Sequence, residues 1–334
     1  MMNICICGGG NLGHVVAGFL AVQEDNYVSV LTRKPERWAD TLEVIDPNGL
    51  IFKGEVHPTD NVALAVADAD IVIICLPGFA IHDELVKIKP YLNSKAKVCT
   101  VVSSTGFFFE AFKVLPKQIG LLGFQRVPFI CRTIEYGHKA ELKGYKALLS
   151  IAVEQVEDRE ALRQTIEQLF KTPVKLLRSY YEVSLSNSNP LLHTSRLYTM
   201  FKGWHEGIVY DRNPQFYSEW TLEASELYIQ MDNEFQRLLE VLPVDKGSIP
   251  PILEYYESHD APSLTDKLNT IPAFKGIYSP MIEVENGFLP DFKSRYFTED
   301  IPFGMRFIVE TAAKHNVEVS TINMVYQWGL SKIK

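Results

Sequence analysis

The stretch NICICGGGNLGHVVAGFLA, residues 3–21, decides the fold of the first half of this chain. Its first residues, up to Cys7, form a continuous apolar run typical of a buried strand, and the residues from Asn11 onward have apolar side chains at helical spacing. Between them lies GGGNLG, which fits the Gly-x-Gly-x-x-Gly pattern of a loop that binds the phosphates of a dinucleotide. We therefore predict a dinucleotide-binding βαβ unit here.

Each residue of this loop has its own predicted part in binding. Gly8 allows the tight turn, Gly10 lets the backbone approach a pyrophosphate, and Gly13 lets the helix pack close to the sheet. The helix N-terminus, at Asn11 and Leu12, offers free N–H groups to the phosphates. A plain strand-turn-helix is the alternative, and the position of the motif between a strand and a helix favours the dinucleotide.

The end of the second predicted strand, residues 27–31, bears on which dinucleotide binds. A site for NAD usually has Asp or Glu here to bind the adenosine ribose, whereas this chain continues Thr32-Arg33-Lys34. Arg33, Lys34 and Arg37 supply cations where a 2′-phosphate would lie, which favours NADP(H) over NAD(H). A solvated basic turn is the alternative.

Three further apolar runs, residues 70–76, 96–103 and 118–124, are typical of parallel strands covered on both faces. With the helical segments between them they predict a Rossmann-type doubly wound α/β domain over residues 1–182. Pro77 lies at the carboxyl edge of this sheet, beside the expected cofactor. A Pro-Asn-Gly turn in EVIDPNGLIFKGEV (residues 43–56) predicts a small hairpin attached to the sheet.

The rest of the chain, residues 183–334, is predicted to be an all-α substrate domain. Residues 215–242 have apolar side chains at nearly every third or fourth position, which predicts one long helix. Pro302 begins another predicted helix that ends near His315, and the last covers residues 320–332. A helical domain beside a nucleotide domain predicts a substrate cleft between the two.

Composition limits the classes of partner. A chain of 334 residues with 46% hydrophobic and 22% charged residues suits two soluble globular domains. The net charge of −8 argues against nucleic acid, and no apolar run is long enough to span a membrane. We see no signal peptide, and five cysteines, an odd number, fit free thiols in the cytoplasm. Small molecules are the expected partners, and a homodimer stays open.

The second half contains candidates for chemistry. His205-Glu206 lacks the second histidine of a zinc motif, so we expect no metal, and no Gly-x-Ser-x-Gly elbow suggests a hydrolase. Hydride transfer remains, and it needs a proton donor and a cation for an anionic substrate. His193 starts the helical domain, although a packed histidine is an equal alternative. Asp300 could orient it or cap a helix, and Arg295 could bind a carboxylate or be a surface cation.

Four stretches give the chain a resemblance to the octopine/opine dehydrogenase family, NAD(P)-dependent enzymes that couple an amino acid to an α-keto acid. They are GGGNLGH (8–14), GFQRVPFICRTIEYG (123–137), SNPLLH (188–193) and RYFTEDIPFG (295–304). The resemblance implies that His193 is the general acid/base and that Asp300 pairs with it. It also implies that Arg295 holds the keto-acid carboxylate and that Asn189 lines the same cleft.

The expected activity is therefore reductive condensation of an α-keto acid such as pyruvate with an amino acid. The chain departs from the family at Thr194, where proline is common, and the residues that select the amino acid are not indicated. Trp204 and Trp220 are candidates to line that pocket, although core packing is the commoner role. The alternatives are a simple 2-keto acid or ketopantoate-type reductase, which would use a lysine not placed here, and a non-catalytic nucleotide-sensing protein.

Overall fold

The structure is a computed structural model that describes residues 1–333, and its first unit ends at Ser186. The strands of this unit are β1 (Met2–Cys7), β2 (Asn26–Leu31), β3 (Thr41–Ile45), β4 (Ile51–Glu55), β5 (His57–Thr59), β6 (Ile71–Ile74), β7 (Lys97–Thr100), β8 (Gly120–Phe124), β9 (Phe129–Glu135), β10 (Lys139–Tyr145), β11 (Leu149–Glu154) and β12 (Val174–Leu176). Its helices are α1 (Asn11–Ala21), α2 (Val62–Val66), α3 (Gly78–Ile88), α4 (Phe107–Val114), α5 (Arg159–Phe170) and α6 (Tyr180–Ser184).

The main sheet of the first unit has the order β5-β2-β1-β6-β7-β8-β11-β12. Its strands pair in parallel except where β11 meets β8. All four residues of β6 are buried, because helices cover both faces of the sheet. The strand order reverses beside β1, and the carboxyl ends of β1 and β6 at that point are where an α/β sheet binds its ligand. The predicted Rossmann-type fold is confirmed.

A second sheet, in the order β4-β3-β10-β9, corrects the expectation of a hairpin attached to the main sheet. The predicted hairpin exists as β3 and β4, but β3 pairs with β10. Helix α1 packs against both sheets, and its Phe19 ring lies 4.8 Å from that of Phe129. A Cβ on Gly18 would overlap the side chain of Val44. The helix that begins at the glycine loop is therefore held from two sides.

The second unit begins at Asn187 and is built mainly from helices. These are α7 (Asn189–Phe201), α8 (Leu222–Glu240), α9 (Ile252–Tyr255), α10 (Ala261–Thr270), α11 (Arg295–Thr298), α12 (Arg306–Lys314) and α13 (Ser320–Lys332). Helices α7, α8 and α13 pack together around the buried rings of Phe201 and Tyr228. The unit is not entirely helical, because β13 (Met281–Val284) and β14 (Gly287–Pro290) form a hairpin.

Two helices of the second unit differ from their predicted bounds. Helix α8 begins at Leu222 rather than at residue 215, because the Thr221 hydroxyl accepts the N–H of Ala224 and caps it there. Ahead of α12, the segment Ile301–Met305 is π-helical, with Pro302 in its first turn. The last helix covers the predicted residues 320–332.

Within residues 1–333, no helix combines the length and the apolar character needed to cross a membrane.

We expect Gly54→Ala to destabilise the first unit. An added Cβ would lie 2.6 Å from the Ala21 Cβ and 2.8 Å from the Val22 nitrogen, so β4 and α1 would have to move apart. Overpacking of this kind costs about 1–3 kcal/mol of unfolding free energy, measured by urea denaturation. Gly144→Ala in the same sheet is the control, because its Cβ would meet Ile130 at an ordinary 3.6 Å. Equal stabilities of the two variants would contradict the packing argument.

Candidate functional site

A cavity of about 910 Å³ opens in the first unit around the glycine loop. It is lined by the loop, the residues after β2, the residues after β6, Tyr136, and one side of α3 from Phe79 to Lys87. Four of the predicted cofactor residues, Gly8, Gly10, Arg33 and Pro77, belong to this lining. The cavity therefore lies at the edge of the sheet where the sequence places the dinucleotide.

The backbone of the loop fits a pyrophosphate. Gly8 has φ +119°, and a Cβ there would lie 2.7 Å from the carbonyl oxygen of Cys75. A Cβ on Gly13 would overlap the carbonyl oxygen of Gly8, so helix and loop could not approach as they do. No atom lies within 4 Å of the Cβ position of Gly10, which leaves its backbone open to a ligand. The three glycines thus have the geometry that a dinucleotide requires.

Asn11 and Leu12 offer a ligand their backbone N–H groups. The side-chain oxygen of Asn11 accepts the N–H of Thr133 in β9, at 2.8 Å. The side chain of Leu12 packs against the core of the unit. Their N–H groups lie in the first turn of α1, where an α-helix has no internal acceptor for them. These groups are suited to phosphate oxygens.

His14 ties the glycine loop to the second sheet. It is fully buried, its Nδ1 lies 2.9 Å from the Gly10 carbonyl oxygen, and its Nε2 accepts the N–H of Gly137 at 2.7 Å. The ring is therefore neutral with its hydrogen on Nδ1, and burial lowers the pKa of His14 below the usual 6.5. Its ring stacks on Trp38 at 4.3 Å. Sequence reasoning gave this histidine no role, and only its place in the GGGNLGH stretch hinted at one.

The basic turn after β2 lies on the rim of the cavity. Arg33 and Lys34 are exposed, and the Arg37 guanidinium lies 4.7 Å above the ring of Tyr136. Thr32 is the residue where an NAD site would have a carboxylate, and its hydroxyl lies 3.4 Å from that of Tyr136. Cations rather than a carboxylate therefore follow β2 at this rim of the cavity.

The second unit brings two of the sequence motifs together. Pro190 of SNPLLH lies in the first turn of α7, and Gly304 of RYFTEDIPFG lies in the π-helical segment. A Cβ on Gly304 would lie 2.5 Å from Pro190 Cγ, so the π-helical segment packs this closely against the Pro190 ring only because residue 304 is glycine. This contact brings His193 and Asp300 next to each other.

His193 and Asp300 form a hydrogen bond of 2.7 Å between Nδ1 and Oδ2. Asp300 stands at the N-cap position of the π-helical segment, but its side chain makes no capping hydrogen bond. The carboxylate therefore accepts from the imidazole instead of capping a helix. The His193 residue is 8% exposed, so water competes little for this bond.

The other ring nitrogen, His193 Nε2, lies 2.7 Å from the hydroxyl of Tyr217. Tyr217 is buried and stacks on Phe274, with 4.0 Å between the ring centres. Burial raises the pKa of Tyr217, so its hydroxyl stays protonated. The hydroxyl therefore donates a hydrogen bond to Nε2 of the neutral ring. Sequence reasoning missed this residue, because it assigned residues 215–242 to one helix.

The segment ahead of α8 is fixed by a buried arginine. One amino group of Arg196, a turn after His193 in α7, donates to the carbonyl of Glu219 at 2.6 Å, and the other to the Thr221 hydroxyl at 3.2 Å. Burial lowers the pKa of Arg196 to about 10, which leaves it charged at neutral pH. The Glu219 carboxylate accepts the N–H of Gln215. The backbone that carries Tyr217 is therefore rigid on both sides.

Arg295 and Asn189, the predicted substrate-binding residues, are both exposed. The Arg295 guanidinium binds Glu299 through two parallel hydrogen bonds, Nε to Oε1 at 2.8 Å and Nη2 to Oε2 at 2.7 Å. This pairing raises the pKa of Arg295. A substrate carboxylate would have to share or replace Glu299.

The two tryptophans have core-like surroundings. Trp220 is 3% exposed and its indole N–H donates to the hydroxyl of Ser225. The indole N–H of Trp204 donates to the carbonyl of Ile208, 2.9 Å away. Both indoles have their polar atom satisfied within the unit, which favours packing over a pocket lining.

Comparison with known proteins finds similarity to opine dehydrogenases. The family model described as NAD/NADP octopine/nopaline dehydrogenase, alpha-helical domain, matches residues 176–332, and the ketopantoate reductase PanE/ApbA model matches residues 4–118. Octopine dehydrogenase of Pecten maximus is 27% identical over 99% of this chain and 90% of its own. Tauropine dehydrogenase of Arabella iricolor is 29% identical over 98% and 90%. This chain therefore resembles octopine and tauropine dehydrogenases along nearly its whole length.

A solved structure from this family, octopine dehydrogenase with NADH and L-arginine, superimposes with a TM-score of 0.84. It is 27% identical, and the match covers 100% of this chain and 90% of the other. The helical-domain model of the family spans α7, the π-helical segment and the residues between them. His193 and Asp300 therefore lie in the domain that characterises the family.

We expect His14→Phe to destabilise the first unit by about 1–3 kcal/mol at pH 7, because Gly10 and Gly137 lose a buried hydrogen-bond partner. The lowered folded-state pKa of His14 makes its contribution complete above about pH 6.5. As the pH falls below 6.5, the unfolded chain binds a proton that the folded chain does not, so wild-type stability decreases. The difference in unfolding free energy between wild type and His14→Phe, measured by urea denaturation, should therefore become smaller from pH 7 to pH 5.

The control is His259→Phe, because the His259 side chain is 83% exposed. If the difference in unfolding free energy between wild type and His14→Phe stays constant or grows toward pH 5, His14 is not neutral in the folded protein.

Proposed function

We propose that this chain is an NAD(P)H-dependent opine dehydrogenase, an oxidoreductase acting on CH–NH donors. It condenses an α-keto acid such as pyruvate with the amino group of an amino acid and reduces the imine, in a reversible reaction. The observation that carries the proposal is the hydrogen-bonded pair of His193 and Asp300 in the helical domain of the family. A small dicarboxylic secondary amine is the product when the amino acid has no further carboxylate.

His193 provides acid and base in this reaction. Asp300 accepts at Nδ1, so the lone pair of the neutral ring is on Nε2, beside the Tyr217 hydroxyl, and Nε2 is where the ring takes up the proton that the amino group loses. The carboxylate then stabilises the imidazolium until the proton is returned to the hydroxyl that leaves as water. When bound, the dinucleotide supplies the hydride that reduces the imine.

Arg295 binds the carboxylate of the keto acid through its planar guanidinium. Glu299 accepts two hydrogen bonds from that guanidinium, which keep it oriented. A substrate carboxylate has to compete with Glu299 for these donors. Asn189, at the first residue of α7, lines the same cleft in our proposal.

The preferred cofactor is NADP(H), with NAD(H) as the alternative. Support comes from the cations Arg33 and Lys34 on the rim of the cavity and from Thr32 in place of a carboxylate. Free cysteines are consistent with action in the cytoplasm.

A simple 2-keto acid reductase is the second candidate, because the ketopantoate reductase model matches residues 4–118. That match covers the nucleotide half only. Such an enzyme reduces the carbonyl without an amine, so one assay separates the two functions.

The deciding assay follows nicotinamide absorbance with NADPH or NADH and pyruvate, with and without a panel of amino acids. Oxidation that requires an amino acid supports opine chemistry and identifies the partner. Oxidation of the cofactor with pyruvate alone would replace the proposal with the simple reductase. No oxidation with any combination of pyruvate and amino acid would refute both functions for these substrates.

We expect Arg33→Asp to shift cofactor preference toward NADH. Loss of a charge-assisted hydrogen bond to a 2′-phosphate costs about 1.5–3 kcal/mol, so the ratio of kcat/KM for NADPH over NADH should fall roughly 10- to 100-fold. Lys117→Asp, an equal charge change at an exposed lysine, is the control. An unchanged ratio would show that the basic turn is only solvated.

Glu299→Gln should lower KM for the keto acid, because Arg295 would no longer be shared with a carboxylate. An exposed pair of this kind is worth about 1 kcal/mol or less, which limits the change to roughly fivefold. Exposed Glu283→Gln serves as the control. A higher KM in Glu299→Gln than in wild type would mean that Glu299 orients Arg295 more than it competes.

A further inference from the structure

One tyrosine of the cofactor cavity comes from outside the βαβ unit that forms the glycine loop. Tyr136 lies in the turn between β9 and β10 of the second sheet, and it lines the cavity around the loop. The dinucleotide motif assigns contacts with the ligand only to residues of the βαβ unit itself. Tyr136 therefore adds a phenol to the site that the motif does not predict.

The turn that carries this tyrosine is held by α1 and by the segment after β2. The N–H of Gly137 donates to His14 Nε2 at 2.7 Å, and the carbonyl of Gly137 accepts the N–H of Ala39 at 3.1 Å. Gly137 has φ +78°, and a Cβ there would overlap the carbonyl oxygen of Arg37. The Tyr136 ring also lies edge-on to the His14 ring at 5.2 Å. These neighbours fix the position of the tyrosine beside the cavity.

The glycine loop leaves room for the Tyr136 hydroxyl. The second residue of Gly-x-Gly-x-x-Gly is free to vary, and in this chain it is Gly9. A Cβ on Gly9 would lie 2.8 Å from the Tyr136 hydroxyl oxygen and 3.2 Å from Trp38 Cζ2. A larger residue at position 9 would therefore push the hydroxyl away from the loop. Glycine at this variable position keeps the space that the phenol occupies.

The Tyr136 hydroxyl lies beside Thr32, the residue that stands where an NAD site has its carboxylate. The two hydroxyl oxygens are 3.4 Å apart, longer than the usual separation of about 2.8 Å between bonded hydroxyls. The N–H of Lys34 donates to the Thr32 hydroxyl at 3.5 Å, which is also long. Both hydroxyls can therefore form a stronger hydrogen bond with a ligand. Unlike a carboxylate, each of them can donate.

The ring of Tyr136 also supports a cation. The central carbon of the Arg37 guanidinium lies 4.7 Å from the ring centre, and Arg37 lines the same cavity. Within residues 1–333, the guanidinium has no hydrogen bond and no ion pair, so its N–H donors are open to a ligand. Stacking on the phenol restricts where this otherwise exposed side chain can point.

We propose that Tyr136 is a specificity-determining residue of the cofactor site and selects a dinucleotide with a 2′-phosphate on its adenosine ribose. Its hydroxyl donates to the phosphate together with that of Thr32, and its ring orients the Arg37 guanidinium as a further donor. An ionised phosphate has only acceptors and a negative charge, so it matches this set of donors better than a free ribose hydroxyl does. The inference rests on the proposed use of NADP(H), and it places part of the selection in the second sheet.

The test measures the binding of two cofactor fragments to the full chain by isothermal titration calorimetry. One fragment, 2′,5′-ADP, carries the ribose phosphate, and the other, 5′-AMP, lacks it. We expect wild type to bind 2′,5′-ADP more tightly. Tyr136→Phe should raise the Kd of 2′,5′-ADP roughly 10-fold, because a hydrogen bond to a charged group is lost, and that of 5′-AMP less than about twofold. Tyr145→Phe is the control, an exposed tyrosine of the same sheet outside the cavity lining, and it should keep both Kd values.

Two more variants separate the role of the ring from that of the hydroxyl. Tyr136→Leu also removes the face that supports Arg37, so its Kd for 2′,5′-ADP should exceed that of Tyr136→Phe by about 2- to 5-fold. In an Arg37→Ala background this additional loss should disappear, because no guanidinium remains to be oriented. Since 5′-AMP binds the rest of the adenosine site, its unchanged Kd verifies that each variant is folded.

Equal losses of affinity for both fragments in Tyr136→Phe, or unchanged binding of 2′,5′-ADP, would make Tyr136 a packing residue and overturn the inference. A wild type that binds the two fragments equally well, or binds neither, would overturn it too. None of these measurements requires turnover. A clear preference for 2′,5′-ADP in a protein that oxidises no cofactor with any substrate pair would instead overturn the proposed opine chemistry and leave this inference standing.

Discussion

The hydrogen bond between His193 Nδ1 and the Asp300 carboxylate determines which nitrogen of the ring can take part in chemistry. It forms because α7 and the π-helical segment meet where Pro190 faces Gly304, a place with no room for a Cβ. A residue larger than glycine there would push the two segments apart and separate Asp300 from His193. One close contact between glycine and proline therefore determines whether the histidine has its carboxylate partner.

Regular elements of this fold follow from the sequence, and their boundaries depend on particular hydrogen bonds. The eight-stranded sheet follows from its apolar runs, because strands buried on both faces have no polar alternation. The second sheet does not follow, since the paired residues of β3 and β10, such as Glu43 and Lys139, are 96 positions apart and both strands pack against α1. Thr221 is a capping residue and marks the start of α8 in the sequence. The prediction missed it because Phe216, Tyr217 and Trp220, ahead of Thr221, have the same apolar spacing as the helix itself.

Two buried histidines show what residue type alone cannot decide. His14 bonds two backbone groups, the Gly10 carbonyl and the Gly137 N–H, and both of them need a partner inside the protein. His193 instead lies between an ionised carboxylate and a hydroxyl, two groups that can exchange protons. The pairing of His193 with Asp300 was predicted through the resemblance of short motifs. Tyr217 was not, because no local pattern marks a residue whose partner lies 24 positions away.

The two units contribute unequally to the assignment of function. The geometry of Gly8, Gly10 and Gly13 suits any dinucleotide enzyme, and residues 4–118 match a ketopantoate reductase model as well as they fit an opine dehydrogenase. The residues that distinguish the reactions are those that handle the amine and its protons. We propose that these lie in the second unit, where the Asp300 carboxylate, the Tyr217 hydroxyl and the ring of Tyr296 surround one buried imidazole. A reductase acting on a carbonyl alone has one proton to deliver, whereas condensation requires a proton to be taken from nitrogen, stored and returned to oxygen. A buried imidazole held by Asp300 is suited to that storage.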